Sequence, residues 1–477
     1  MDWLTAPEYW WSRLLFQRGL AAVYLLAFLV AANQFRALLG EHGLTPVPRF
    51  LAHTPWRRAP SLFHLRYSDR LLTAVAWTGV AVSGALLIGL GDLAPLWTAT
   101  VMWLLLWLLY LSIVNVGQVW YAFGWESLLL EAGFLAIFLG NARVGPPVVM
   151  LWLLRWLLFR VEFGAGLIKL RGDKCWRDLT CLNYHHETQP MPGPLSWWFH
   201  HLPRPLHRAE VAANHVTQLI VPFGLFLPQP VASVAAGLII VTQLWLVASG
   251  NFSWLNWIAI VLAASVLDLS PLLGSGTATT GPGWHQVLVL AAAALVLALS
   301  YRPARNLLSK RQLMNAGFDP LRLVNTYGAF GRVTKVRHEI VIEGTDETDP
   351  GPQTLWREYG FKGKPGDPRR LPRQVAPYHL RLDWLMWFAA MSPPYAHPWV
   401  PALLGRLLTD DRTVLRLLRT NPFPDKPPTY VRALLYRYRF TTSAERRTTG
   451  AWWHRTLVGE YLPPVTLTHG VRSPHAP

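Results

Sequence analysis

Pro95–Val116 reads PLWTATVMWLLLWLLYLSIVNV. No charged residue interrupts it. A helix needs roughly 20 mostly apolar residues to cross a hydrocarbon core, and this run suffices. Similar runs lie on both sides. They are Gly19–Leu39, Leu71–Leu90, Glu126–Gly140, Pro146–Leu170, Ala212–Leu227, Val231–Ala248, Ser253–Leu269 and Trp284–Ser300. The pattern predicts an α-helical polytopic membrane bundle of about nine transmembrane helices. The Glu126 run is short and contains Glu131, which predicts a partly re-entrant segment. A turn at Pro228–Pro230 predicts that the next two runs form a helical hairpin. Leu20 to Ala32 has no clear small-x-small cleavage site, so the first run is expected to stay as a helix rather than leave as a signal peptide.

Composition agrees. Hydrophobic types make up 52% and charged types 15% of the 477 residues, whereas soluble domains carry about a quarter charged. The apolar residues come in long runs, which excludes one large soluble core. The 25 Trp suit the membrane–water interface, where an indole keeps its ring in apolar surroundings and its N–H near water. A net charge of +17 raises the question of a nucleic-acid partner. There is no zinc-finger spacing, P-loop or aromatic RNA-binding signature, so the basic balance is assigned to the lipid bilayer and no nucleic acid is expected. Arg outnumbers Lys, which points to a GC-rich bacterial genome.

After Tyr301 the apolar runs give way to charges, prolines and short alternating stretches. Val333–Glu343, Thr354–Phe361 and Tyr430–Thr441 are expected strands; His379–Met391 and Leu403–Arg419 are expected helices. The expected organisation is a transmembrane domain over 1–300 with a polar loop at 171–210, then a soluble α+β domain over 301–465. That domain is expected to be β-sandwich-like, and 466–477 to be a disordered tail.

Chemistry-bearing residues concentrate around the fifth run. Arg155, Glu162 and Lys169 recur every seven residues, close to two helical turns, so they share one stripe; Arg160 lies off it. Charges at membrane depth usually face the bundle interior, as internal glue or as a functional site. Gly164 and Gly166 allow a neighbouring helix to approach. The following loop holds the only two cysteines, Cys175 and Cys181. Their spacing permits a small disulfide loop or two packed thiols, and is not a Cys-x-x-Cys redox motif. His185, His186, His200, His201 and His207 show no established ligand spacing, so no metal is expected. Trp197, Trp198 and Phe199 are expected to lie on the membrane surface. Glu126 and Glu131 fall on different helix faces and form no carboxylate pair, and no hydrolase elbow occurs.

These strings are similar to the lipase maturation factor family. They are Tyr121–Glu131 (YAFGWESLLLE), Arg160–Pro190 and Pro194–His200, then Asn325–Gly331, Trp356–Lys362, Pro377–Ala390 and Asn421–Pro424, with the Trp452–Trp453 region. The resemblance covers about residues 10–465. It implies a non-enzymatic membrane chaperone that assists folding or assembly of secreted clients, lipases among them, through its C-terminal domain and without a cofactor. Animal members sit in the endoplasmic reticulum membrane; the bacterial counterpart is the inner membrane, with the C-terminal domain outside. That orientation suits a Cys175–Cys181 disulfide. It opposes the positive-inside reading of Arg49, Arg57, Arg58, Arg66 and Arg70, which would make their loop cytoplasmic. The client surface is expected at Asn325–Lys362 and Tyr430–Phe440, as exposed strand edges. Glu162–Trp176 also resembles vitamin K-dependent carboxylases, which implies an alternative: an integral membrane enzyme with Lys169 as its base.

Overall fold

The computed structural model describes residues 4–276 and 279–467. All nine apolar runs become helices: α1 (Trp10–Leu39), α2 (Asp69–Leu87), α3 (Leu96–Val116), α4 (Gly124–Ala136), α5 (Val148–Arg171), α6 (Arg204–Leu219), α7 (Val231–Ser249), α8 (Leu255–Ala264) and α9 (Gly283–Leu299). Among the described residues, five helices are long and apolar enough to cross a membrane: Pro7–Leu39, Asp69–Leu87, Leu96–Val116, Val231–Ser249 and Gly283–Leu308. The other four differ from the expectation of about nine spans for separate reasons. Helices α4 and α8, at 13 and 10 residues, are too short for a full crossing and are buried by their neighbours. Helix α6 is amphipathic and carries Arg204, His207, Arg208 and Glu210. At 24 residues α5 is long enough, but it carries the buried charges Arg155, Arg160, Glu162 and Lys169.

Local signals explain the helix starts. Pro95, Pro147, Pro203, Pro230 and Pro282 are the N-cap residues of α3, α5, α6, α7 and α9. A proline there fixes φ and forfeits no helical N–H. The Ser68 side chain accepts from the Leu71 N–H at 3.1 Å and starts α2. Helices α1 and α2 pack so closely that a Cβ on Gly79 would overlap the Phe28 ring.

The C-terminal part carries helices α10 (Arg381–Ala389) and α11 (Trp399–Leu408). Its strands are β1 (Arg337–Thr345), β2 (Arg357–Glu358), β3 (Tyr430–Phe440) and β4 (Trp453–Val465), in one antiparallel sheet of order β2-β1-β3-β4. The described residues contain no second sheet. Where a sandwich was expected, the second layer is helical. Trp399, Leu403 and Leu407 of α11 share a core with Ile340, Ile342, Val431 and Ala433 of the sheet.

Strand β4 was not anticipated, because Gly459, Pro463 and Pro464 break its alternation and it pairs with β3 through register shifts. An edge strand tolerates prolines that a central strand would reject. The tail expected to be disordered lies, from residue 468 onward, outside the described residues.

Candidate functional site: a largely apolar cavity under the C-terminal domain

Helix α5 places its charges differently from the simple stripe. Arg155 donates to the Leu225 carbonyl at 3.1 Å and to the Tyr9 hydroxyl at 2.8 Å. Glu162 accepts from Gln243 of α7 at 2.6 Å and from Gln218 of α6 at 3.4 Å. Lys169 Nζ donates to Asn214 at 2.8 Å and Gln218 at 2.9 Å, and lies 4.9 Å from the centre of the Trp176 ring. Asn256 of α8 extends the chain by donating to Gln243 at 2.6 Å. The result is a continuous network, Asn256–Gln243–Glu162–Gln218–Lys169–Asn214, drawn from four helices. Gly166 admits α6, since a Cβ there would meet Leu219 Cδ2 at 2.7 Å. Gly164 admits a C-terminal segment instead: its Cβ would meet the Tyr327 carbonyl oxygen at 2.5 Å.

Glu162 and Lys169 border a cavity of about 1350 Å³. Its walls come from α5, α6, α7 and α8, closed by Tyr327–Arg332 and by Trp384, Trp387 and Phe388 of α10. The lining is largely aromatic and aliphatic, as in small-molecule sites, and the volume exceeds their usual range of roughly 300–1,000 Å³.

The loop after α5 joins the membrane helices to the C-terminal domain. Cys175 and Cys181 are bonded, with Cα atoms 4.8 Å apart. The Trp176 indole donates to the Phe330 carbonyl at 2.7 Å, and the Val333 N–H donates to Asp173 at 2.8 Å. The disulfide and the C-terminal domain therefore share one face. Trp197 does not lie on a lipid surface. It is buried, donates to the Thr441 carbonyl at 2.8 Å, and stands with Trp198 and Trp452 around Arg446. His185 is packed against Phe330 and Phe252, and burial, followed by the Lys169 charge, pushes its pKa down to about 4. His207 is held by Asn183 and the Phe199 carbonyl, and His201 by the Trp197 carbonyl at 2.7 Å. No group of three or more His, Cys, Asp or Glu able to hold a metal occurs among the described residues.

The strongest ties were invisible to the stripe argument. Arg160, the residue off the stripe, pairs with Glu131, and both side chains are 1% exposed. Glu131 also accepts from the Asn325 N–H at 3.0 Å and the Tyr327 hydroxyl at 2.7 Å. Glu126 pairs with Arg381 of α10 at 2.8 Å and with the Tyr110 hydroxyl. Each α4 carboxylate thus holds its own arginine. In the sheet, Glu339 is shared by Arg337 at 2.5 Å and Lys364 at 2.8 Å, while Arg337 donates to the Gln189 and Pro190 carbonyls of the loop. The only available sequence signal was that Glu131, Asn325 and Tyr327 all fall inside the quoted family-like strings.

Of the segments expected to offer exposed strand edges, only β2 does so. Asn325, Thr326 and Tyr327 are buried against α4, and β3 lies between β1 and β4. The sheet's edges are the short β2 and the long β4, where Leu457 and Val458 are each 54% exposed.

Comparison with known proteins covers both parts. The description "Lipase maturation factor transmembrane domain" matches residues 11–272, and "Lipase maturation factor C-terminal domain" matches residues 323–463. Lipase maturation factor 1 of Bos taurus is 41% identical over 97% of this chain and 90% of its own length. The Homo sapiens protein of that name is 41% identical over 97% of this chain and 89% of its own. Lipase maturation factor 2 of Homo sapiens is 31% identical over 95% of this chain and 82% of its own. No solved structure matches.

Proposed function

Because the chain belongs to the lipase maturation factor family, we propose that this integral membrane protein acts as a maturation factor for secreted client proteins, lipases among them. The observation that carries this reading is the 41% identity to a protein named for lipase maturation, sustained over 97% of the chain. The work is chaperoning rather than covalent chemistry. The membrane helices anchor a C-terminal domain through buried ion pairs, and that domain presents β4 to a client that still exposes strand edges. The bonded Cys175–Cys181 pair supports an orientation with loop 171–210 and the sheet on the oxidising side of the membrane, outside the inner membrane in a bacterium.

The test is co-expression of the chain with a secreted lipase in a host lacking any such factor, reading secreted lipase activity per mass of lipase. Leu457→Lys with Val458→Asp, both exposed on β4, is expected to remove most of the gain while the protein stays in the membrane at normal abundance. Undiminished lipase activity with this double variant would refute the role of β4. No gain with the unaltered chain would refute lipases as clients.

A further inference from the structure

We propose that the cavity between α5, α6, α7 and α8 is a binding site for an anionic membrane phospholipid. The proposal rests on α7 being a membrane span and not on any role in client maturation.

Three independent features of the cavity converge on this ligand. The first is its access. Val241 and Trp245 of α7 line it, yet they are 66% and 46% exposed on a helix with the length and hydropathy of a membrane span. The cavity therefore reaches the lipid-facing side of the bundle, and a ligand can enter sideways from the bilayer.

The second is its rim. Lys310, Arg311 and Arg332 line the cavity and are exposed, and Arg171 stands beside them, donating to Gln312 at 2.7 Å. These cations gather at the C-terminal end of α5, where an apolar chamber meets polar surroundings. A phosphate diester at that level would sit among them, with its acyl chains in the chamber.

The third is its chamber. Trp125, Trp384, Trp387 and Phe388 wall it beside aliphatic side chains of α5 and α7, a lining that suits acyl chains. A soluble phosphate or phosphopeptide would satisfy the rim but leave the chamber unused.

The decisive experiment is native mass spectrometry of the full-length protein after exchange from mixed vesicles of phosphatidylglycerol and phosphatidylcholine. One phosphatidylglycerol per chain is expected to survive detergent washing, in preference to phosphatidylcholine. The surface variant K310Q/R311Q/R332Q should lose it. A basic residue near a charged lipid surface contributes ~5-fold to affinity, so the three together should weaken retention on the order of 100-fold. The matched control R57Q/R58Q/R66Q, at exposed positions outside the cavity, should retain lipid as the unaltered chain does. A separate chamber variant, Ala213→Trp, should also lose the lipid, with an unchanged gel-filtration profile as the check on folding. The proposal is overturned if no lipid survives washing, if phosphatidylcholine is held equally, if inorganic phosphate alone displaces the lipid, or if the triple variant and its control behave alike.

Discussion

Removing the Arg160 guanidinium by Arg160→Leu leaves Glu131 buried, facing only Asn325 and the Tyr327 hydroxyl. Breaking one side of a buried ion pair costs about 3–5 kcal/mol, because the remaining charge keeps its desolvation penalty and loses its counter-charge. Arg160 also donates to the Asn325 carbonyl at 2.6 Å, so the upper half of that range is expected. Glu131→Leu should cost a similar amount through the stranded arginine. The double variant should cost clearly less than the sum, with a coupling of about 2–3 kcal/mol, since neither charge is then left alone. Because Asn325 and Tyr327 open the C-terminal domain, the loss should show first as its undocking from α4 and α5. The assays are intrinsic Trp fluorescence melting in detergent and limited proteolysis within 310–335. Single variants that melt like the unaltered chain, or strictly additive effects, would show that this pair does not hold the two parts together.

Three further outcomes are expected. His185 stays neutral in the fold down to about pH 4, whereas an unfolded histidine takes its proton near 6.5. The unfolded state therefore gains protons first. Stability is fully present above pH 6.5 and should fall by roughly 3 kcal/mol towards pH 4 on this account. His185→Gln should flatten that part of the melting-temperature profile, and an unchanged slope would rule His185 out as its source. Replacing Cys175 by Ser opens the Cys175–Cys181 loop, and the lost chain constraint should cost about 2 kcal/mol. In intact cells a membrane-impermeant thiol reagent should label the unaltered chain only after reduction. Labelling that needs permeabilisation but no reductant would place this face in the cytoplasm.

Residue identity settled a good deal by itself. Long apolar runs located the main helices of the bundle, because burial of a backbone in lipid leaves helix as the economical way to satisfy its hydrogen bonds. The alternating stretches located β1 and β3, and the ordered Trp-rich strings indicated the family. Which runs are full spans was not legible. A run's hydropathy reads the same whether it faces lipid, as with α7, or is enclosed by protein, as with α4. The stripe of α5 contains Glu162 and Lys169, and both are buried. Periodicity along one helix, however, cannot name partners on another. Glu131 met Arg160, and Glu126 met Arg381 across 255 positions of chain, only once tertiary packing had brought α4, α5 and α10 together. The exposed edge of the sheet was decided at the same level. Strand order is a matter of long-range pairing, so the alternation that made β3 look like a docking edge could not tell that β4 would cover it.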